Sequence, residues 1–294
     1  MVFFIFKVMD STLKEHISNF LNEPIKSVHA VSGGDISTAY RIDTPNHSYF
    51  LKSNNSSNGL KMFQAEAHGL QLIHDTNTIK TPKVLAYDTF QNISFLLMEF
   101  IQSKAPSNDD FKNLGLKLAE LHQVNNDTFG LELDNFIGSL NQINSPHISW
   151  VNFYTKERLI PQLELAKQKR LLSDNECPSA KRIEESLNLL FENIKPSLLH
   201  GDLWTGNYLI STDGTPYLID PAIYYGHHEV DIAMTKLFGG FGTEFYMAYH
   251  SVFPEDFNTD TRIEIYQLYY LLVHLNLFGS SYYQSVKSIL KKYF

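Results

Sequence analysis

The sequence predicts an α+β protein with two lobes, a small β-rich lobe over residues 1–100 and a larger, mainly helical lobe over residues 101–294. Up to Met98 the apolar residues fall in short runs separated by Gly, Pro and Asn turns, which is typical of strands. From about Ser107 they recur at helical spacing. A chain of 294 residues also exceeds the modal size of one domain, so two lobes that share a cleft are expected.

The first lobe is predicted to be a mostly antiparallel sheet that carries a helix. A short amphipathic helix precedes the sheet over residues 12–21, and Thr12 with Glu15 has the spacing of a capping box. Strands are predicted over residues 28–31, 38–42, 48–52, 84–86 and 95–98, and the helix of the sheet over residues 60–73.

Helices dominate the predicted second lobe. They cover residues 111–124, 150–172, 180–191, 230–238 and 262–278. A polar loop and a short hairpin interrupt them between residues 200 and 220. This order of elements predicts that a glycine turn, a strand lysine and the polar loop form opposite walls of one cleft.

Composition argues against nucleic-acid or membrane binding and favours the cytoplasm. With 24 basic and 32 acidic residues the formal net charge is −8, so an anionic partner meets an unfavourable field. Cys177 is the single cysteine, which excludes an internal disulfide and fits a reducing cytosol. The apolar residues 1–8 are too few to span a bilayer. Met9 resembles a natural start, so we expect deletion of residues 1–8 to leave activity intact.

One polar loop carries the clearest chemistry. It reads His200-Gly201-Asp202-Leu203-Trp204-Thr205-Gly206-Asn207, and a predicted hairpin then leads to Asp220. Asp202 and Asn207 are far enough apart to point from one loop into one cavity, which Asp220 reaches from beyond the turn. Two carboxylates and a carboxamide can hold hard cations through oxygen while one carboxylate stays free as a base. The pattern favours phosphoryl transfer.

Two features of the first lobe could form the opposite wall of the cleft. Gly33-Gly34 lies between strands, where adjacent glycines let backbone amides approach phosphate oxygens, although a simple hairpin turn explains it equally well. Lys52 ends a strand and by itself is typical of a solvated sheet edge. Glu66, on the predicted helix, could pair with Lys52 and hold it towards nucleotide phosphates.

Several other residues have competing interpretations. His200 is interpreted as a structural histidine that braces the loop, and Asp231 as a helix cap or a second brace. Trp204 is either a core residue or an aromatic wall for an apolar or sugar face. The adjacent pair His227-His228 raises a zinc site as an alternative. Neighbouring histidines face one metal less easily than an i, i+4 pair, so the zinc alternative is the weaker one.

Together these motifs resemble the fructosamine kinase (ketosamine-3-kinase) family, in the aminoglycoside phosphotransferase-like branch of the protein-kinase-like fold. The resemblance covers nearly the whole chain after about Met9. The segments that carry it are Gly33-Gly34, Tyr49-Phe50-Leu51-Lys52, Met62-Phe63 with Glu66, the loop from His200 to Asn207, Asp220-Pro221-Ala222, Tyr225-Gly226-His227-His228-Glu229-Val230-Asp231, Tyr266-Gln267-Leu268-Tyr269 and His274-Leu275-Asn276-Leu277-Phe278-Gly279. The loop pattern alone marks the broader superfamily, whereas Trp204 and the downstream segments are typical of the ketosamine branch.

The resemblance implies a kinase that uses ATP and Mg²⁺ to phosphorylate a sugar hydroxyl of a ketoamine. It implies that Asp202 accepts the hydroxyl proton and that Asn207 and Asp220 hold Mg²⁺. A deprotonated Asp202 needs no large pKa shift to accept a proton late in the transfer. The resemblance also implies that ATP contacts Gly33, Gly34, Lys52, Met98, Glu99, Phe100 and Ile101, and that Glu66 orients Lys52. It implies that the substrate contacts Trp204, His274 and Asn276.

The sequence also departs from ordinary protein kinases. It has no G-x-G-x-x-G loop and no A-P-E segment after Asp220, which argues against a protein-kinase activity. The loop around Asp35 has no cysteine, so thiol-based control is not expected there. Phosphorylation beside the ketoamine carbonyl would promote elimination and return the amine, which implies protein-deglycation repair.

Two alternatives remain open at this point. One is another small-molecule kinase of the same fold, acting on an aminoglycoside or a choline-like alcohol. The other is a non-catalytic nucleotide-binding pseudokinase, although such proteins generally lack one of the four residue types found at Lys52, Asp202, Asn207 and Asp220. The preferred sugar, a free or protein-bound substrate and the oligomeric state are also left open.

Overall fold

The computed structural model describes residues 9–31 and 37–294. Within these ranges a sheet-based first region and a helical second region give the predicted α+β architecture. The expectation for residues 1–8 and the predicted phosphate loop at Gly33 and Gly34 lie outside the described residues.

The first region is built on five antiparallel strands. They are β1 (Ser27–Val31), β2 (Thr38–Asp43), β3 (Ser48–Asn54), β4 (Val84–Phe90) and β5 (Ile93–Glu99). Their order in the sheet is β1-β2-β3-β5-β4. The five predicted strands are therefore confirmed, and each extends beyond its predicted range. The central position of β3 places Lys52 between β2 and β5, opposite Leu96.

Two helices accompany the sheet, α1 (Ser11–Leu21) and α2 (Gly59–Asp75). The predicted capping box at Thr12 is wrong. The N-cap of α1 is Asp10, whose Oδ1 accepts hydrogen bonds from the backbone amides of Thr12 (2.9 Å) and Leu13 (3.0 Å). An aspartate just ahead of a helix reaches the free amides of the first turn, so it caps there in preference to Thr12.

Helix α2 lies on the sheet through its apolar face. Phe63 and Leu70 are buried against Leu96 and Met98 of β5. Glu66 lies three residues after Phe63 and four before Leu70, so it shares the face that meets the sheet. The packing of α2 thus directs Glu66 towards the strand that carries Lys52.

The second region is helical and contains the larger core. Its helices are α3 (Asn108–His122), α4 (Trp150–Phe153), α5 (Ile160–Gln168), α6 (Ala180–Asn188), α7 (Glu229–Phe238), α8 (Thr243–His250), α9 (Thr259–Phe278) and α10 (Tyr283–Tyr293). Helix α9 is buried along most of its length and forms the centre of this core. The predicted helices over 111–124, 180–191, 230–238 and 262–278 are confirmed with shifted ends. No helix of the described residues has the length and apolarity needed to cross a membrane.

The prediction of one continuous α-helix over residues 150–172 is wrong. Helix α4 passes into a π-helical turn at Tyr154–Leu159 before α5 begins. Pro161, in the first turn of α5, has no N–H to donate. Arg158 Nη1 donates instead to the Glu157 carbonyl at 3.0 Å. The carbonyl that proline leaves without a helical donor thus gains another donor, and the local turn is wider than an α-helix.

The sequence pattern does not predict α8 or α10. Helix α8 has eight residues and follows Gly239, Gly240 and Gly242, which suggest a loop. Helix α10 buries Val286, Ile289 and Leu290 and exposes lysines and serines. Both helices are held by packing against the larger core rather than by a strong local pattern.

Short strands frame the polar loop. They are β6 (Ser103–Lys104), β7 (Asn135–Ile137), β8 (Leu140–Gln142), β9 (Ser197–Leu199), β10 (Tyr208–Ser211), β11 (Pro216–Leu218) and β12 (Tyr224–Gly226). β10 pairs with β11 and β6, β9 pairs with β12, and β7 pairs with β8. The loop over residues 200–207 therefore starts at the end of one strand and ends at the start of another.

Candidate active site

The start of the polar loop is fixed by a buried carboxylate on α7. Asp231 is fully buried, and its two oxygens accept hydrogen bonds from the backbone amides of His200 (2.8 Å) and Gly201 (2.8 Å). The same carboxylate lies 3.0 Å from Nε2 of His122 on α3. These hydrogen bonds, with His122 donating, outweigh burial and lower the pKa of Asp231. Asp231 therefore acts as a brace of the loop rather than as a helix cap.

His200 connects the loop to the strand end that precedes Asp220. Its Nε2 lies 2.8 Å from the Ile219 carbonyl, and its Nδ1 lies 3.3 Å from the backbone amide of Asp202. A carbonyl can only accept, so Nε2 carries the proton and Nδ1 accepts. Burial lowers the pKa of His200, which favours this neutral form. The ring has no hydrogen-bonding nitrogen left for a substrate.

Asp202 and Asn207 face each other across the loop. Asn207 is buried, and its Nδ2 donates to the Asp202 carbonyl (2.8 Å) and to Asp202 Oδ2 (3.3 Å). Burial, together with the negative charge of Asp231, raises the pKa of Asp202 to about 7, although the Asn207 hydrogen bond opposes the shift. The sequence argument did not include this shift, because it treated Asp202 as a carboxylate that can accept a proton without one. A carboxylate with a pKa near neutrality is well matched to accepting a proton.

Asp220 meets the lysine of the first region. Lys52 Nζ donates to Glu66 Oε1 at 2.7 Å and also contacts Asp220 Oδ1. Asp220 adopts a left-handed backbone conformation with φ 55°, which is uncommon outside glycine and requires support from its surroundings. The structure thus brings together three residues that the sequence placed on opposite walls of a cleft.

The backbone from Met98 to Ile101 has one amide without a hydrogen-bond partner among the described residues. The amide of Glu99 donates to the Lys83 carbonyl at 3.0 Å, and that of Phe100 donates to the Ser48 carbonyl at 3.3 Å. Among the described residues the amide of Ile101 has no such partner. Of the four residues predicted to contact adenine, Ile101 offers the available N–H.

Trp204 lies at the surface of the loop. Its side chain is 39% exposed, so the interpretation as a core residue is wrong. The indole covers the Cα of Gly206 so closely that a Cβ at position 206 would overlap the ring. The polar loop therefore presents an aromatic surface two residues from Asp202.

His274 and Asn276, the other two predicted substrate contacts, differ in their burial. Asn276 is 3% exposed, and its Nδ2 donates to the backbone and side-chain oxygens of Gln162, both at 2.9 Å. Asn276 thus joins α9 to α5 and does not reach the surface. His274 is half-buried, and its ring lies 4.9 Å from the ring of Phe238, which is exposed.

The alternative of a zinc site finds no ligand group in the part of the chain that the structure describes. His227 Nδ1 lies 2.7 Å from the Tyr266 hydroxyl, and His228 Nδ1 lies 2.9 Å from the Tyr249 hydroxyl. Each imidazole therefore bonds a different tyrosine, and burial lowers the pKa of both histidines.

Sequence reasoning missed the residues that support the loop from a distance. His122 contacts Asp231, and the Tyr270 hydroxyl donates to the Gly201 carbonyl at 2.9 Å. Both lie on helices whose periodicity marks them as core positions. Only a polar or aromatic-hydroxyl residue on an otherwise apolar helix face could have indicated them, and such residues are common.

A strand lysine paired with a helix glutamate, opposite a loop with an aspartate and an asparagine, is the layout of kinases with the protein-kinase-like fold. Solved structures agree on the fold. Aminoglycoside phosphotransferase APH(4)-Ia, in complex with ADP and hygromycin B, superposes with a TM-score of 0.65 at 15% identity, covering 96% of this chain and 98% of that one. The chain therefore has the protein-kinase-like fold.

Closer relatives narrow the class. The fructosamine kinase family model matches residues 9–294. A Lactiplantibacillus plantarum protein named “Probable ketoamine kinase” is 42% identical over 92% of this chain and 95% of its own. The chloroplastic protein-ribulosamine 3-kinase of Oryza sativa subsp. indica is 42% identical over 92% of this chain and 79% of its own. A Haemophilus somnus 129PT crystal structure, assigned as a fructosamine-3-kinase, superposes with a TM-score of 0.86 at 30% identity over 96% of both chains.

The chain belongs to the fructosamine kinase family. The resemblance seen in the sequence is confirmed, as are the protein-kinase-like fold and an ATP-dependent kinase activity towards ketosamines. Nothing in these comparisons favours an aminoglycoside or choline-like substrate, or a pseudokinase.

Proposed function

We propose that the chain transfers the γ-phosphoryl group of ATP, with Mg²⁺, to a sugar hydroxyl of a ribulosamine or fructosamine adduct, with Asp202 as the base. The observation that carries the proposal is the hydrogen bond from Asn207 to the Asp202 carboxylate, beside the Lys52–Glu66–Asp220 contacts. It supports Asp202 as the proton acceptor, and Ile219, the residue before Asp220, donates to the Asn207 carbonyl at 3.0 Å.

Asn207 and Asp220 fit the role of magnesium ligands. Asn207 uses its amide nitrogen towards Asp202, and its Oδ1 forms no hydrogen bond within the described residues. Asp220 offers a partly exposed carboxylate. Mg²⁺ prefers oxygen ligands and is usually held by one or two protein groups together with substrate phosphates. When bound, ATP would supply the phosphoryl group and Mg²⁺ would neutralise its negative charge.

The nucleotide contacts follow from the first region. Lys52 is held by Glu66, so its ammonium is fixed for the phosphates without a large entropy loss on binding. The free amide of Ile101, with the neighbouring carbonyls of Met98, Glu99 and Phe100, is proposed to bind adenine. Gly33 and Gly34 stay a prediction for the phosphate loop.

Asp202 is proposed to accept the proton of the attacking hydroxyl. Its raised pKa makes it a stronger base than an ordinary aspartate, and Asn207 orients the carboxylate. Asp231 and His200 hold the loop backbone, so Asp202 keeps its place as charge develops. Phosphoryl transfer depends mainly on such positioning and on charge stabilisation.

Trp204 is proposed as a wall for the sugar and His274 as a second substrate contact. The exposed indole fits the apolar face of a sugar. Asn276 is proposed to act on the substrate only through the α9–α5 contact, because its side chain is buried.

The proposed biological role is repair of glycated amines. Phosphate on the carbon beside the ketoamine carbonyl is a good leaving group. Its elimination from the enaminol form leaves an imine, and hydrolysis of that imine by water releases the free amine. The relatives named ketoamine kinase and protein-ribulosamine 3-kinase support this role. A cytoplasmic location without nucleic-acid or membrane partners stays a prediction. Three questions stay open: the preferred sugar, the choice between a free and a protein-bound substrate, and the oligomeric state.

A substrate panel tests the proposal. The purified chain is incubated with ATP and Mg²⁺ and with ribulosamine, erythrulosamine or fructosamine adducts of lysine, and the phosphorylated product is followed by ³¹P NMR. We expect kcat/KM for at least one ketoamine to exceed that for kanamycin or choline by orders of magnitude. Transfer to kanamycin or choline alone, or nucleotide binding without transfer to any ketoamine, would contradict it.

A further inference from the structure

Two buried amides lie at the end of a hairpin that the proposed mechanism does not use. Asn135 on β7 and Gln142 on β8 are direct partners in the hairpin register. They are 6% and 2% exposed, and Gln142 Nε2 donates to Asn135 Oδ1 at 2.8 Å. A buried amide pair is retained at low cost only if its other donors and acceptors are also satisfied.

Both amides also donate hydrogen bonds to backbone carbonyls just after Asp220. Asn135 Nδ2 donates to the Ile223 carbonyl at 2.7 Å, and Gln142 Nε2 donates to the Ala222 carbonyl at 3.1 Å. The Tyr269 hydroxyl donates to Gln142 Oε1 at 2.6 Å. Each amide can be oriented in one way only, because a flip would set an oxygen against a carbonyl. The three side chains therefore form a specific support for residues 222 and 223.

The supported segment links the two halves of the site. The amide of Ala222 donates to the His200 carbonyl at 2.8 Å. Its carbonyl lies against Gly201, where φ is 83° and a Cβ would overlap that oxygen. Asp220 stands two residues ahead of Ala222 in the left-handed conformation. A residue in that conformation is kept there by its neighbours, and the amides on 222 and 223 are part of that constraint.

We infer that Asn135 and Gln142 are positioning residues that set the place of the Asp220 carboxylate and so the affinity for Mg²⁺. They act through the backbone of Ala222 and Ile223 and do not touch the metal or the nucleotide. The inference rests on the proposed function, because it takes Asp220 as a magnesium ligand. Outer residues of this kind typically change metal affinity by about 10–100-fold when they are lost.

The test replaces Gln142 with methionine, which has a similar side-chain volume and cannot form the three hydrogen bonds of the Gln142 side chain. Binding of Mn²⁺ in the presence of ADP is followed by the EPR signal of free Mn²⁺, and the Mg²⁺ requirement for phosphorylation is measured alongside. We expect both half-saturating metal concentrations to rise about tenfold, with KM for the ketoamine within twofold of the parent. Ile183→Val on α6 is the control, because it loosens the same core and α6 supplies no residue of the site.

Equal metal affinity in Gln142→Met and Ile183→Val, at similar losses in Tm, would overturn the inference. If Gln142→Met does not fold, Asn135→Ser and Tyr269→Phe decide, since each removes one part of the same network. Tyr269→Phe removes one hydrogen bond and Asn135→Ser removes two, so Mn²⁺ binding weaker by about two- to threefold or more is expected in each. Unchanged Mn²⁺ binding in both variants would overturn the inference. Failure of the proposed function is distinguishable, because the parent chain would then phosphorylate no ketoamine.

Discussion

Lys52 Nζ lies between two carboxylates, donating to Glu66 on α2 and contacting Asp220 beyond the polar loop. One side chain therefore connects the sheet, its helix and the proposed magnesium site. The lysine is 12% exposed, so its two acidic partners compensate a charge that has little access to water. Any change at position 52 should affect both the nucleotide and the metal.

Lys52→Met should lower kcat/KM for ATP by about 10²–10³-fold, because it removes a charge that faces the transferred phosphoryl group. Steady-state kinetics at varied ATP measure it. Lys117→Met is the matched control, since Lys117 pairs with Glu120 on the surface of α3 and should leave kinetics unchanged. A Lys52→Met variant with parental kcat/KM would remove Lys52 from the site.

The Lys52–Glu66 pair shows what local sequence patterns can predict. The alternation of residues predicted the strand β3 that carries Lys52, and helical spacing placed Glu66 on the apolar face of α2 with Phe63. The pairing of β3 with β2 and β5 then makes Lys52 central in the sheet. The polar loop is likewise contiguous in sequence. The elements of the cleft could therefore be predicted before their contacts were known.

The supports of the site could not be predicted in this way. Gln142 meets Ala222 across 80 residues of chain, and His122 meets Asp231 across 109. Such contacts leave no periodic signal, because they depend on how the helices pack and not on their spacing. The raised pKa of Asp202 is missed for the same reason, since burial is a property of the packed loop.

Asp202→Asn should lower kcat by about 10²–10⁴-fold, the usual contribution of a general base, and leave ATP binding largely intact. Rapid-quench phosphorylation and ATP titration by calorimetry separate the two effects. Asp213→Asn in the nearby hairpin turn is the control, because its carboxylate bonds only within that turn in the described structure. Undiminished turnover in Asp202→Asn would refute the assigned base.

The pKa of Asp202 also predicts a pH profile. With a pKa of about 7 the base is half-protonated at neutral pH, so kcat/KM should fall about tenfold per pH unit well below 7 and level off above it. The profile is measured with saturating Mg²⁺ at constant ionic strength. A flat profile from pH 6 to pH 8 would show that proton acceptance by this carboxylate does not limit the reaction.

Asp231→Asn should weaken both stability and turnover. The buried carboxylate holds two loop amides and faces His122, and breaking such a buried network typically costs about 3–5 kcal/mol. Urea unfolding should show this loss, and kcat should fall more than KM for ATP changes. Asp260→Asn is the control, because Asp260 is an exposed residue in the first turn of α9. Parental kcat in a destabilised Asp231→Asn variant would show that the brace serves folding alone.

Trp204→Ala should raise KM for the ketoamine about tenfold, in keeping with the loss of one aromatic contact, and leave KM for ATP unchanged. Trp204→Phe should recover most of the loss, since it keeps a ring over Gly206. Initial rates at varied ketoamine and fixed ATP measure both. Equal increases in the two KM values would indicate that the indole shapes the whole loop and does not contact the sugar.

Buried histidines should make the protein sensitive to acid. Burial lowers the pKa of His228 to about 3, from 6.5 in the unfolded chain, and the pKa values of His200 and His227 are lowered too. Below pH 6.5 the unfolded chain takes up protons that the folded one refuses, so stability that is present above 6.5 is lost progressively down to about pH 3. Each such group contributes at most about 1.4 kcal/mol per pH unit.

His228→Phe removes one of these groups and should flatten the fall of Tm between pH 6.5 and 5 without abolishing it, because His200 and His227 remain. Phenylalanine keeps the ring contact with Phe253, whose centroid lies 4.2 Å away, but loses the hydrogen bond to Tyr249. Tm at neutral pH should therefore drop while its pH dependence weakens. His29→Gln on β1, where the side chain is 62% exposed, should leave the slope unchanged. An unchanged slope in His228→Phe would mean that this imidazole binds a proton in the folded state as readily as in the unfolded chain.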